Sequence, residues 1–87
     1  MRVRVSCIGH IRKSVGREVV ELEGPEYTAS KVIEELREMV GPADEAGFTK
    51  FNTLLVVNGR SAFTAAADDR ALQDGDEVLL LPFSHGG

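Results

Sequence analysis

The chain has 87 residues, of which 43% are hydrophobic and 28% charged, the make-up of a single small folded domain with a modest core. Ten Lys and Arg against fourteen Asp and Glu leave a net charge of −4, which argues against non-specific binding to nucleic acid or to an anionic membrane. One cysteine, Cys7, excludes an internal disulfide and a multi-cysteine metal site, and the longest apolar runs, Leu54 to Val57 and Val78 to Leu81, are far short of a membrane span.

Val3, Val5 and Cys7 alternate with Arg2, Arg4 and Ser6, the period-2 pattern of a half-buried strand. Gly9 closes it, and the polar stretch from His10 to Gly16 predicts a turn into a second strand over Arg17 to Leu22. Gly24-Pro25 stops that strand. Ala29 to Val40 is the one convincing helix: Val32, Ile33, Leu36, Met39 and Val40 form a single apolar stripe. Thr28 or Ser30 is its N-cap, and Gly41-Pro42 ends it. Lys31, Glu34, Glu35, Arg37 and Glu38 solvate the opposite face. Pro42 to Asn52 reads as an irregular connection. Thr53 to Val57 is a strand, and Asn58-Gly59 is a two-residue hairpin turn into Ser61 to Thr64. Ala65 to Leu72 has room for one helical turn. Asp74-Gly75 then turns the chain into the last strand, Glu77 to Leu81.

Two hairpins flanking one amphipathic helix predict an α+β domain, a mixed sheet packed on one main helix. The β-grasp arrangement fits best, with the first and last strands paired in parallel at the centre. A split β-α-β sandwich would need a second helix over Ala65 to Leu72. The expected division is a β-grasp domain over 1–82 and a tail over 83–87. Arg2 and Arg4 interrupt the start before an apolar signal core can form, so a cytoplasmic location is expected.

Most candidate chemistry fails on spacing. Six residues separate Gly9 from Gly16 and Arg17-Glu18 follow, whereas a phosphate loop needs four and then Lys-Ser/Thr. A calcium loop ending at Asp74-Gly75 would need oxygen ligands where Arg70 and Leu72 stand. Cys7 shares parity with Val3 and Val5, so it reads as a buried apolar residue. His10 and His85 have no local ligand spacing. A stand-alone enzyme is not expected.

The remaining chemistry is at the end, where Pro82 is followed by Phe83-Ser84-His85-Gly86-Gly87. With nine glycines in the chain, a chance pair at the last two positions is rare. A terminal carboxylate is ionised at neutral pH and inert until activated. An enzyme that activates it must thread it through a narrow channel, where residues without a Cβ fit closest. Five residues beyond Pro82 reach at most about 17 Å, enough to enter a partner's active site. Pro82 fixes the direction of departure. If Val78 and Leu80 face the helix, alternation sends Leu79, Leu81 and Phe83 to the other face as a candidate partner surface, with Pro82, His85 and Gly86 leading to the reactive Gly87.

A β-grasp-compatible chain with Asp74-Gly75-Asp76-Glu77-Val78 before its last strand, then Pro82 and Gly86-Gly87, resembles the ubiquitin-like sulfur-carrier family. That family includes the small subunit of molybdopterin synthase, the thiamine sulfur carrier and the ubiquitin-related modifiers. The resemblance covers the whole chain in element order and is most specific in the tail. It implies that an ATP-dependent, E1-like adenylating enzyme activates Gly87 and that a sulfurtransferase supplies sulfur for a C-terminal thiocarboxylate. The carrier then docks on a synthase large subunit or another sulfur acceptor enzyme. It binds no cofactor itself, and ATP is used by the partner. Molybdopterin biosynthesis is the leading pathway, with a protein modifier or tRNA-thiolation carrier as the alternative. In the modifier branch Gly87 is joined to a lysine of a target. Molybdopterin synthase small subunits usually continue with a second proline and an aliphatic residue, where Phe83, Ser84 and His85 stand here. His85 before Gly-Gly is closer to the eukaryotic modifier tail. A reading of another class is a non-catalytic β-grasp interaction module.

Overall fold

Strand alternation sorts the sheet into two faces, and among the described residues the helices close one of them. A computed structural model describes residues 1–40 and 47–83. Its order is β1 (Arg2–Cys7), α1 (His10–Val15), β2 (Val19–Glu23), α2 (Ala29–Met39), β3 (Thr53–Val57), β4 (Ala62–Thr64) and β5 (Glu77–Pro82). The strands form one sheet in the order β2-β1-β5-β3-β4. β1 and β5 pair in parallel with Val5 opposite Val78, and the other pairs are antiparallel. This is the expected β-grasp, a mixed α+β sheet with its first and last strands at the centre.

Val3, Val5, Cys7, Val20, Leu22, Leu55, Val78 and Leu80 all turn to one side and are buried there against Ala29, Val32, Ile33 and Leu36 of α2. Thr28 caps α2, its Oγ1 accepting from the Lys31 N–H at 3.2 Å. Ser30 has a different role, since its N–H goes to Asp69 Oδ1 at 2.7 Å. That contact, with the Thr28–Ala71 bridge, ties the 65–72 segment to the start of α2. The segment makes a turn, as expected. The helix stops one residue early. Val40 adopts an extended backbone and is buried, whereas Met39, at the last helical position, is 48% exposed and not part of the core expected of the stripe. The Gly41-Pro42 stop lies outside the described residues, as does the 42–46 part of the expected connection.

The stretch from His10 to Gly16 is not a plain turn but a short helix. Ile11 is fully buried and Val15 packs against the core, an i, i+4 pair on one face. Gly16 closes α1 at φ 82°, donating its N–H to Arg12 O at 2.8 Å, a left-handed cap that glycine adopts at low cost. Arg12 and Lys13 in the last turn suit the negative end of the helix dipole. As a result the second strand begins at Val19 and not at Arg17.

The β3–β4 hairpin also departs from expectation. Asn58 and Gly59 both have positive φ, 53° and 72°, and Arg60 N–H closes the turn on Val57 O. Yet Val56 lies opposite Ala62, one residue beyond the register of a two-residue hairpin, and β4 starts at Ala62. Asn58 is held by other bonds: its side chain donates to Asp76 Oδ1 and accepts the Glu77 N–H, each at 2.9 Å. The Asp74-Gly75 turn locks the parallel pair similarly, with Arg2 N–H on Asp74 Oδ1 and Gly75 N–H on Arg2 O. The Asp74 and Asp76 carboxylates therefore serve as turn acceptors.

Two measurements test this core. Ile11→Ala should cost about 2–5 kcal/mol in denaturant unfolding if α1 buries Ile11 as described, and under about 1 kcal/mol if the segment were a solvated turn. The second concerns Tyr27, the only tyrosine of the chain and 1% exposed. Its hydroxyl donates to Glu35 Oε2 at 2.8 Å. Burial, then the Glu35 hydrogen bond and charge, push its pKa from 10.0 up to about 12. A raised tyrosine pKa stabilises the fold fully below pH 10, and that contribution is lost as pH climbs from 10 to about 12. Unfolding free energy of the wild type should fall over this window relative to Tyr27→Phe, and phenolate absorbance should report the raised midpoint directly.

Candidate functional site

β5 runs through the middle of the sheet and carries the chain towards its last residues. At its end Pro82 lies opposite Thr53 of β3. Proline has no N–H to donate, so its place in a central strand needs a reason. The Phe83 N–H points to β3 and bonds Asn52 O at 2.8 Å. By alternation the Pro82 nitrogen faces β1, which has already left the sheet at Gly9. Gly9 in turn is held at φ 65°, and a Cβ built on it would lie 3.1 Å from Pro82 Cγ. The bare backbone of Gly9 is thus what lets the proline ring close the end of the strand.

The face opposite the helices is apolar at this end of the sheet. Leu81 lies opposite Leu54, and Leu79 lies between Val56 of β3 and Ser6 of β1. These four aliphatic side chains are half-buried by one another and by their neighbours. Ile8, 43% exposed, follows β1 and donates its N–H to Leu80 O. The other end of the same face is charged: Arg2, Arg4, Glu21, Glu23, Asp74 and Glu77 line a depression of about 570 Å³. Its Arg2–Glu23 pair, at 3.9 Å and largely solvated, contributes little.

Leu79, Leu81, Pro82 and Phe83 are therefore gathered along one strand end, with Val78 and Leu80 turned into the core as expected. His85, Gly86 and Gly87 lie outside the described residues. The sequence reading missed Leu54, Val56 and Ile8. The signal for the first two was present: Leu54 to Val57 is apolar at every position, so a strand burying Leu55 must show Leu54 and Val56 on its other face. Cys7 is in the core, where burial raises its thiol pKa above the ordinary value. Among the described residues no three His, Cys, Asp or Glu side chains are grouped to hold a metal ion. Nor is any helix there long and apolar enough to cross a membrane.

A model of the ThiS family matches residues 5–87. Among solved structures, the putative molybdopterin converting factor, subunit 1, from Pyrococcus furiosus is 27% identical, with a TM-score of 0.71 over 97% of this chain and 99% of that one. SAMP1 from Haloferax volcanii is 18% identical, with a TM-score of 0.69 and 100% of both chains covered. A chain of the BexX/CysO complex from Amycolatopsis orientalis is 20% identical, with a TM-score of 0.63 over 98% of this chain and 99% of that one. Comparison with curated protein sequences gave no match. A family match over nearly the whole chain, on a sheet with its first and last strands paired in parallel, leads to one conclusion: the protein belongs to the ThiS family of ubiquitin-like sulfur carriers.

Proposed function

We propose that the protein is a non-catalytic carrier whose reactive group is the Gly87 carboxyl, and that it delivers sulfur in molybdopterin biosynthesis. The observation that carries this reading is the family match running through Gly86-Gly87, beyond a strand end flanked by an apolar face that no described helix covers. The likeness to the Pyrococcus protein, a putative molybdopterin converting factor subunit, supports the pathway.

The chemistry follows from what a carboxylate lacks. Its oxygen is a poor leaving group, so an E1-like partner that holds ATP must first place AMP on it. A carboxylate oxygen of Gly87 attacks the α-phosphorus of ATP, and pyrophosphate leaves. A hydrosulfide equivalent supplied by a sulfurtransferase then adds to the acyl carbon, AMP leaves, and a thiocarboxylate remains. The chain itself supplies no acid, base or metal to these steps. Its part is to present the terminus and to be recognised by the adenylating enzyme and then by a synthase large subunit or another acceptor. On this reading the ATP-consuming steps take place in the cytoplasm.

Single-turnover adenylation with a cognate E1-like enzyme tests the reading. Deletion of Gly87 should abolish the acyl-adenylate, and Gly86→Ala should slow its formation by at least about tenfold, because a methyl group meets the channel wall. His85→Ala should be milder, since that side chain can point out of the channel. Equal rates for all variants would leave a β-grasp interaction module as the better reading. Recovery of Gly87 joined to target lysines would instead favour the modifier branch.

Docking has its own test. Leu79, Leu81 and Phe83, together with Leu54 and Val56, form the proposed partner surface. Leu79→Ala and Phe83→Ala should each weaken partner binding by about 1–3 kcal/mol while leaving the melting temperature nearly unchanged. Large losses of stability at unchanged affinity would place these residues in the core instead.

A further inference from the structure

We propose that Asn52 is a positioning residue that sets where the terminal segment leaves the fold, a role that rests on the carrier reading for its consequence. The loop before β3 is organised around this one side chain. Asn52 Oδ1 accepts the Thr49 N–H at 2.6 Å and the hydroxyl of the fully buried Thr53 at 3.2 Å, while Nδ2 donates to Gly47 O at 3.2 Å. The backbone closes the same turn, with Asn52 N–H on Thr49 O at 3.3 Å. Phe48, fully buried, roots the loop in the core. Every hydrogen-bonding group on Asn52 is thereby used inside the loop, except its carbonyl. That carbonyl takes the Phe83 N–H at 2.8 Å.

The consequence is a clamp one residue beyond Pro82. The β3–β5 ladder does not end with the proline but continues through Asn52 and Phe83, and four residues separate Phe83 from the Gly87 carboxyl. Four residues reach at most about 14 Å when extended. An activating enzyme must therefore bring its nucleotide within that distance of Phe83. A proline at position 83 could not make this bond, because it has no N–H. Phe83 and Asn52 thus form a matched pair: one supplies the donor, the other holds the acceptor still.

Loss of the Asn52 side chain should loosen the hold on the Phe83 amide, so that Phe83 itself must be ordered again at each activation. Ordering that residue should lower kcat for adenylation by about five- to thirtyfold. KM for the carrier should change by less than about twofold, since docking uses the outer sheet face.

The experiment combines amide hydrogen exchange with adenylation kinetics on the full chain. In the wild type the Phe83 amide should be protected. In Asn52→Ala it should exchange at least about tenfold faster while the Leu55 and Leu80 amides keep their rates, which shows that the core is intact. Asn52→Asp keeps an oxygen for Thr49 and Thr53 but cannot donate to Gly47, and should lie between the two in both exchange and kcat. A Phe83 amide unprotected in the wild type, or unchanged in both variants, would overturn the clamp. A faster-exchanging Phe83 with unchanged kcat would overturn its positioning role. A wild-type chain that no E1-like enzyme adenylates would overturn the carrier reading itself, an outcome distinct from active wild type with equally active variants.

Discussion

The parallel pairing of β1 with β5 is the contact on which the rest of the fold depends. It places Arg4 opposite Glu77 and Cys7 opposite Leu80, joining the start of the chain to nearly its end. Closing so long a loop costs on the order of 4 kcal/mol in chain entropy. Burial of Val3, Val5, Val78 and Leu80 on one face offsets it, and the Asp74 and Gly75 bonds to Arg2 fix the register. With the register set, β2 and β3 have only the outer sides of this pair to occupy, and α2 covers the face that carries Val3, Val5, Val78 and Leu80.

The same pairing separates stability from chemistry. Because β5 is central, its inward residues are core and its outward residues lie at the middle of a face that no described helix covers. Its end is held by three small contacts: Gly9 beneath the Pro82 ring, Thr53 opposite Pro82, and Asn52 O on the Phe83 N–H. A carrier needs such an arrangement. Its reactive group must leave the fold without loosening it, and a rigid strand end beside an apolar surface gives a partner a fixed reference from which to find the terminus. The buried thiol of Cys7 stays out of this chemistry, since a thiol kept protonated and 2% exposed is a poor nucleophile.

How much of this is legible in the sequence depends on the range of the interaction. The strands of period 2, the α2 stripe and the Asp74-Gly75 turn are local patterns, and the structure places them within a residue or two of expectation. α1 is not legible in the same way: six residues give only one i, i+4 pair, Ile11 and Val15, too little for periodicity to separate from a polar turn. Met39 fails for a different reason. Helical spacing puts it on the stripe, but the extended backbone at Val40 ends the helix and turns the next apolar residue inward instead. The outer face was half legible: Leu79 and Leu81 follow from alternation in one strand, whereas Leu54 and Val56 join them only once β3 is known to lie beside β5. Asn52 was missed because its bonds to Gly47, Thr49 and Thr53, though local, follow no periodic pattern, and its contact with Phe83 forms only in the folded chain.

The central claim is that sulfur is carried on the acyl carbon of Gly87 and nowhere else in the chain. Tandem mass spectrometry of the protein after incubation with a cognate E1-like enzyme, ATP and a sulfur donor tests this most directly. Replacing oxygen by sulfur should add about 16 Da to the fragment that ends at Gly87, with the fragment containing Cys7 unchanged. A gain of about 32 Da on the Cys7 fragment, the mark of a persulfide, with an unmodified terminus would contradict it.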